Sequence, residues 1–326
     1  MNVLVLGGSG FVGQVIVKKL LAQEAFMPIV ASRGPSPVKG VRTVAINALD
    51  RAQLARAVSD VGCVVNCVTG SKQTIMETSE SLVSVLLNTP HKPKLIHMST
   101  MSVYGNQEGL VTESTGLEPN IGWYGEAKIA AERAFERYAD QGGSLYILRP
   151  GCIYGPGSQL WTDRVGKLLS SRRLGDLAEA GDGWSNLVHV DDVANATLHC
   201  LQALDDHGLN RFNLSAPDSP RWNRYFHDFA MALEATPLRY LSSKAVLVET
   251  KLVAPPIKVM ERVFSKFRVR AEWLPESMPP SLVRLWGQHI KLDSRRIDRV
   301  FNFRWTSYSD GVNESAEYFK ARFGRD

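Results

Sequence analysis

Tyr124 and Lys128 stand four residues apart in the segment Tyr124-Gly125-Glu126-Ala127-Lys128. On a helix that spacing puts both side chains on one face, roughly 6 Å apart along the axis. A free phenol titrates near ~10 and is a poor base at neutral pH; a neighbouring ammonium favours the phenolate and is expected to lower that value. Such a pair can exchange a proton with a substrate oxygen while hydride moves at the attached carbon. Upstream lies Met98-Ser99-Thr100-Met101-Ser102-Val103-Tyr104-Gly105. A hydroxyl at the end of a buried strand there could donate a hydrogen bond to the developing alkoxide or carbonyl oxygen. A tyrosine and a lysine at this spacing are common by chance, so the pair gains weight only from what surrounds it.

What surrounds it is a glycine turn, Gly7-Gly8-Ser9-Gly10-Phe11-Val12-Gly13, close behind the apolar run Val3-Leu4-Val5-Leu6. Gly7 permits a tight turn, Gly10 lets backbone approach a pyrophosphate, and Gly13 allows close helix–strand packing. The N–H groups of Phe11 and Val12 then point at phosphate oxygens at a helix N-terminus. The second strand ends Ala31-Ser32-Arg33, where an NAD-selective site usually carries a carboxylate for the ribose 2′-hydroxyl. Arg33 can instead pair with a 2′-phosphate, and Ser32 sits beside it, so NADP(H) is expected over NAD(H).

The elements that must hold these groups alternate. Apolar runs predict strands over 2–6, 29–31, 41–46, 61–68, 94–98 and 145–148. Helical spacing falls at 14–23, 52–59, 77–87 and 124–139, the last with Glu126, Lys128, Glu132 and Arg133 among its polar positions. The alternation implies an α/β fold, a doubly wound parallel Rossmann sheet with the ligand along the carboxyl ends of the strands. Residues 186–190 are expected to return to that sheet. The remainder is irregular and rich in tryptophan, and reads as a smaller C-terminal α+β substrate-binding region. The expected division is 1–159 with 186–214 for the dinucleotide, and 160–185 with 215–326 for the substrate.

Composition narrows the class. Of 326 residues, 44% are hydrophobic and 22% charged, ordinary for a globular chain long enough for a nucleotide domain and a partner region. The net charge of +5 comes without a basic–aromatic repeat, which argues against nucleic acid and for a pocket that receives phosphates. Cys63, Cys67, Cys152 and Cys200 form no C-x-x-C pair and read as reduced thiols, with no metal site expected. The first apolar run is too short for a signal peptide or a membrane span, so a cytoplasmic location is expected.

The chain resembles the extended short-chain dehydrogenase/reductase family, also called the NAD-dependent epimerase/dehydratase family. The likeness rests on Gly7–Gly13, Ser99–Gly105, Tyr124–Lys128, Arg149–Gly157 and His189-Val190-Asp191-Asp192-Val193-Ala194, in family order. It implies that Thr100, with Ser102 as second choice, is the catalytic hydroxyl, Tyr124 the acid–base residue and Lys128 its partner, which also bonds the nicotinamide ribose. It implies backbone contacts to the nicotinamide at Pro150 and Ile153, an adenine contact at Asn47, and a cofactor border at Val68. Asp191 or Asp192 is expected to cap the next helix, and His189 to pack between domains.

Two departures bear on the branch. Met101 and Ser102 stand where sugar-nucleotide dehydratases carry an extra acid and base, and Cys152 where nucleotide-sugar enzymes often have asparagine. The chain looks more like the 3β-hydroxysteroid dehydrogenase and dihydroflavonol reductase branch, which implies a ketone or secondary alcohol on a fairly apolar small molecule. A nucleotide-sugar epimerase and a non-catalytic NADP-sensing regulator stay open as alternatives. Residues 251–291 interleave Leu252, Ile257, Val259 and Phe267 with Lys258, Arg262, Lys266, Arg268 and Arg270. Such a segment could lie on an anionic membrane, cover the substrate pocket, or pack in a homodimer.

Overall fold

Side chains along a strand alternate between its two faces, and the first strand is apolar on both. In the computed structural model, which describes residues 1–34, 36–119, 122–204, 208–266 and 274–324, Val3, Leu4, Val5 and Leu6 are all buried. The chain divides into two units, one of residues 1–151, 190–215 and 292–305, the other of 152–189, 216–291 and 306–326.

The first unit is a parallel seven-stranded sheet. Its strands are β1 (Asn2–Leu6), β2 (Met27–Ser32), β3 (Arg42–Ala45), β4 (Cys63–Asn66), β5 (Lys94–Met98), β7 (Ser144–Pro150) and β10 (Gly208–Leu214), ordered β10-β7-β5-β4-β1-β2-β3. A short strand, β6 (Gly109–Val111), lies outside this sheet. Leu4 sits in register with Ile29 on one side and Val64 on the other. Leu4, Leu6, Ile29, Val64, Leu95 and Ile147 face a core shared with helices α2 (Arg51–Val58), α3 (Lys72–Leu87) and α4 (Trp123–Asp140). The opposite face is covered by α1 (Phe11–Leu21) and α6 (Val190–Gln202), which pack on each other. This is the doubly wound Rossmann arrangement the alternation predicts. Each fully buried Val or Leu side chain contributes roughly 1.5–3 kcal/mol, so the double-sided burial fixes which edge of the sheet gathers the strand ends.

Residues 186–190 do not rejoin this sheet. Instead β9 (Leu187–His189) pairs in parallel with β8 (Cys152–Tyr154) as a separate two-stranded sheet of the second unit. The edge of the large sheet beside β7 is filled by β10, which pairs with β7 along its whole length from Gly208↔Ser144 to Leu214↔Pro150. The unit boundaries also differ from those expected. Residues 152–159 and 186–189 belong to the second unit, and 292–305 return to the first. They return because the Asp293 N–H donates to the Val111 carbonyl (2.8 Å) and the Ser215 N–H to Ser294 Oγ (2.9 Å). Asp191 and Asp192 occupy the first turn of α6 rather than its cap position. There Asp191 pairs with Lys19 of α1 at 2.7 Å.

The second unit has an aromatic core. Trp161 lies tilted 5.0 Å from Trp222, Trp286 meets Phe226 edge-on at 5.0 Å, and Tyr225 lies parallel to Phe229 at 5.5 Å. His189 is buried there, its ring edge-on to Tyr154 at 5.4 Å. Trp273, Phe267, Arg268 and Arg270 lie outside the described residues, as do the side chains of Arg262 and Lys266. All four cysteines are free.

One buried ion pair joins three elements of the first unit. Arg149 of β7 grips Glu132 of α4 through two bonds, Nε to Oε1 at 3.0 Å and Nη2 to Oε2 at 2.6 Å, and both side chains are almost wholly buried. Ser99, just beyond β5, donates its hydroxyl to the same carboxylate. Arg149 Nη1 also donates to Tyr104 Oη (2.9 Å), whose own proton goes to Asn213 Oδ1 (2.6 Å). Removing one partner of such a pair leaves an uncompensated buried charge and costs about 3–5 kcal/mol, while replacing both by apolar groups costs far less. Arg149→Met should therefore lose about that much stability in urea unfolding, and Arg149→Met with Glu132→Met should recover most of it. A single-variant loss below ~1 kcal/mol would show that the pair does not anchor α4.

Candidate active site

The glycine turn has the shape a dinucleotide needs. Gly7 has φ +74°, and a Cβ there would stand 2.9 Å from the Cys67 carbonyl oxygen at the end of β4. At Gly13 a Cβ would meet the Gly7 carbonyl oxygen at 2.4 Å, so the helix can approach the strand only without a side chain. The Gly7 N–H donates to the Ala31 carbonyl (3.1 Å) and Gln14 Nε2 to the Ser9 carbonyl (2.7 Å), which pins the turn between β1, β2 and α1. Gly10 is the N-cap of α1, no side chain caps it, and no acidic residue stands in the first turn. The first N–H groups, Phe11 and Val12 among them, are thus left for an external anion. The cradle fits a pyrophosphate.

The other expected cofactor positions fall at strand ends. Val68 follows β4, its N–H donating to Asn66 Oδ1 at 3.1 Å. Ser32 closes β2 and gives its hydroxyl to the Gly34 carbonyl, and Arg33 beyond it is exposed without an ion pair among the described residues. Asn47, two residues past β3, is exposed, and its Oδ1 accepts from the Leu49 N–H at 3.2 Å, leaving Nδ2 as the group free for a base. Pro150 closes β7 in the first unit, whereas Ile153 lies on β8 in the second.

Tyr124 and Lys128 are both in the first two turns of α4. Lys128 is fully buried, with its Nζ donating to the Met98 carbonyl at the end of β5 at 2.7 Å. Burial lowers its pKa to about 8, against opposing pulls from Cys67 and Glu132. The expected lowering of the Tyr124 phenol does not occur. Burial pushes it above its ordinary value, with the ring packed against the apolar core. Next to Lys128, burial raises the Cys67 thiol to about 12, and burial and the ammonium together hold His97 neutral.

Of the three hydroxyls after β5, one is already committed. Ser99 is bound to Glu132, which leaves Thr100 and Ser102. Thr100 Oγ1 accepts from the Ser102 N–H (3.2 Å), capping the 3-10 turn Met101–Tyr104, and donates to Ser102 Oγ (3.3 Å). The structure therefore brings Gly7, Val68, Lys128 and Thr100 to the carboxyl ends of neighbouring strands β1, β4 and β5. Sequence reasoning named Glu132 only among the polar positions of its helix and missed its pairing with Ser99 and Arg149. The signal was present, since Tyr124, Lys128 and Glu132 recur every four residues and so share one face.

A model of the NAD dependent epimerase/dehydratase family matches residues 3–215. The chain is 29% identical over 195 residues to dTDP-6-deoxy-L-talose 4-dehydrogenase (NAD(P)(+)) of Kitasatospora kifunensis, an alignment that covers 55% of this chain and 61% of that protein. It is 27% identical over 218 residues to 2-alkyl-3-oxoalkanoate reductase of Stenotrophomonas maltophilia, over 61% of this chain and 63% of that one. The chain thus spans about three fifths of the length of these two relatives. The NAD complex of UDP-glucuronic acid 4-epimerase from Bacillus cereus superposes with a TM-score of 0.75 over 100% of this chain and 99% of that one, at 18% identity, and so shares the fold.

The cradle has a direct test. Gly13→Val should abolish NADP(H) and NAD(H) binding in calorimetric titration, because the Gly7 carbonyl stands where the side chain would go. A folded Gly13→Val protein that binds either dinucleotide as the wild type does would remove the cradle from the site.

Proposed function

The chain belongs to the NAD dependent epimerase/dehydratase family, and on that premise we propose that it is an NADP(H)-dependent oxidoreductase acting on a ketone or secondary alcohol of a small, fairly apolar substrate. The observation that carries this reading is the buried Lys128 ammonium, fixed on the Met98 carbonyl beside Thr100 and one helical turn from Tyr124. A bound nicotinamide supplies hydride in reduction and accepts it in oxidation.

The chain's own groups handle the proton. The Tyr124 phenol, pushed above its ordinary value by burial, is protonated at neutral pH, the form that donates when a carbonyl is reduced. As hydride reaches the carbonyl carbon, Tyr124 Oη gives its proton to the carbonyl oxygen, and the proton is later restored from solvent. Thr100 Oγ1 donates a hydrogen bond to that same oxygen as negative charge develops on it. Lys128, held by Met98, orients the nicotinamide ribose and stabilises the phenolate left behind. Support for an apolar ketone comes from the reductase among the relatives, whose name denotes an alkyl-substituted oxo acid, and from Met101 and Cys152 in the motifs. Support for NADP(H) comes from the exposed Arg33 and the lack of a carboxylate after β2.

The reading is checked by following NADPH absorbance with a panel of alkyl ketones. Net oxidation is expected, and Tyr124→Phe should slow it roughly 10²–10⁴-fold with dinucleotide affinity unchanged. Inversion of a sugar-nucleotide stereocentre with no net absorbance change would make the chain an epimerase instead. Cofactor choice is checked separately by fluorescence titration. Arg33→Ala should weaken NADPH about 10–100-fold, the worth of charge-assisted hydrogen bonds, and leave NADH nearly unchanged. A wild type that prefers NADH would refute the assignment.

A further inference from the structure

Residues 243–266 form one continuous helical stretch, α8 (Ser243–Val248), a π-turn (Glu249–Val253) and α9 (Ala254–Lys266). Pro255 and Pro256 lack the N–H groups that would close the preceding α-turn, which accounts for the wider turn just before them. The stretch carries two apolar stripes on opposite sides. Thr250, Ala254 and Ile257 are buried, and Phe264 continues that row half-buried. On the far side Val248, Leu252, Pro256, Val259 and Val263 recur at spacings of three and four and are all exposed, Leu252 by 68% and Val259 by 58%. The outer stripe runs about 22 Å along the helix.

An ordinary surface helix is polar on its outer face, and contiguous exposed apolar residues mark a contact surface. The charges beside the stripe bear on what it could receive. Lys251 and Lys258 are exposed, whereas Glu249 is tied to Arg173 and Glu261 lies half-buried in the inner row. Across 243–266 there are five basic residues against two acidic ones. A second copy meeting this face across a two-fold axis would bring like-charged lysines together. A bilayer with anionic headgroups receives both features, the valines and leucine below the headgroups and the lysines among them. No described helix is long and apolar enough to cross a membrane.

We propose that this outer face docks the protein on an anionic lipid surface, lying in the interface plane. The inference is independent of the redox reading. The full-length chain is sedimented with vesicles of phosphatidylcholine alone or with about one third phosphatidylglycerol, at low and high salt. Binding to the anionic vesicles that weakens with salt is expected. Val259→Glu should cut the bound fraction at least roughly tenfold, and Lys251→Glu should cut it at least about fivefold, each with an unchanged circular dichroism melt. Absence of binding at low salt overturns the proposal, as does binding that both variants retain. So does a wild-type dimer, seen by light scattering, that Val259→Glu dissociates while vesicles are ignored.

Discussion

The site depends on a carboxylate that is out of contact with water. Glu132 is fully buried and made tolerable by the two-pronged guanidinium of Arg149 and the hydroxyl of Ser99. A buried pair of this kind is a weak source of net stability, but its geometry admits one arrangement of the three backbones that carry it. Those backbones are the helix of Tyr124 and Lys128, the strand end leading into Thr100, and β7, which closes at Pro150. The ion pair therefore sets the distance between the helix of Tyr124 and Lys128 and the turn that Thr100 caps, although none of its members is proposed to touch substrate.

Lys128 adds a second fastening from the same helix to the same strand end through the Met98 carbonyl. Buried polar groups are costly unless satisfied, so the helix can neither rotate nor slide without stranding an ammonium and a carboxylate together. Burial in this packed setting accounts for the upward direction of the Tyr124 phenol. The ring packs against the apolar core, where the charged phenolate is poorly solvated.

Much of this was legible in the residues. The run from Val3 to Gly13 specifies strand, turn and helix, because both faces of the strand are apolar and each of Gly7 and Gly13 stands where a Cβ would strike backbone. The four-residue spacing of Tyr124 and Lys128 gives their shared face. The same spacing extended to Glu132 points at a buried acid, and Arg149, a lone charge directly after the apolar run Leu145–Leu148, is its counter-charge; neither stands out until the strand and helix are placed side by side. The pairing of residues 187–189 was not legible, since a short apolar run looks alike whether it joins a large sheet or a small one. The partition of the chain was hidden for a related reason. What returns 292–305 to the first unit is hydrogen bonding to residues far away in sequence, at Val111 and Ser215.

That partition has a consequence for how the molecule can be made. The two units alternate through six consecutive segments, so neither is encoded by an uninterrupted stretch. A nascent chain leaving the ribosome has the glycine turn early, but the edge strand Gly208–Leu214 only after one segment of the other unit, and the helix Arg295–Phe301 that lies on it only after a second. Vectorial folding, in which a domain closes before the next begins, is barred by this interleaving. Neither unit can close until segments of both have been made, and no single crossover could transplant one of them whole into another gene.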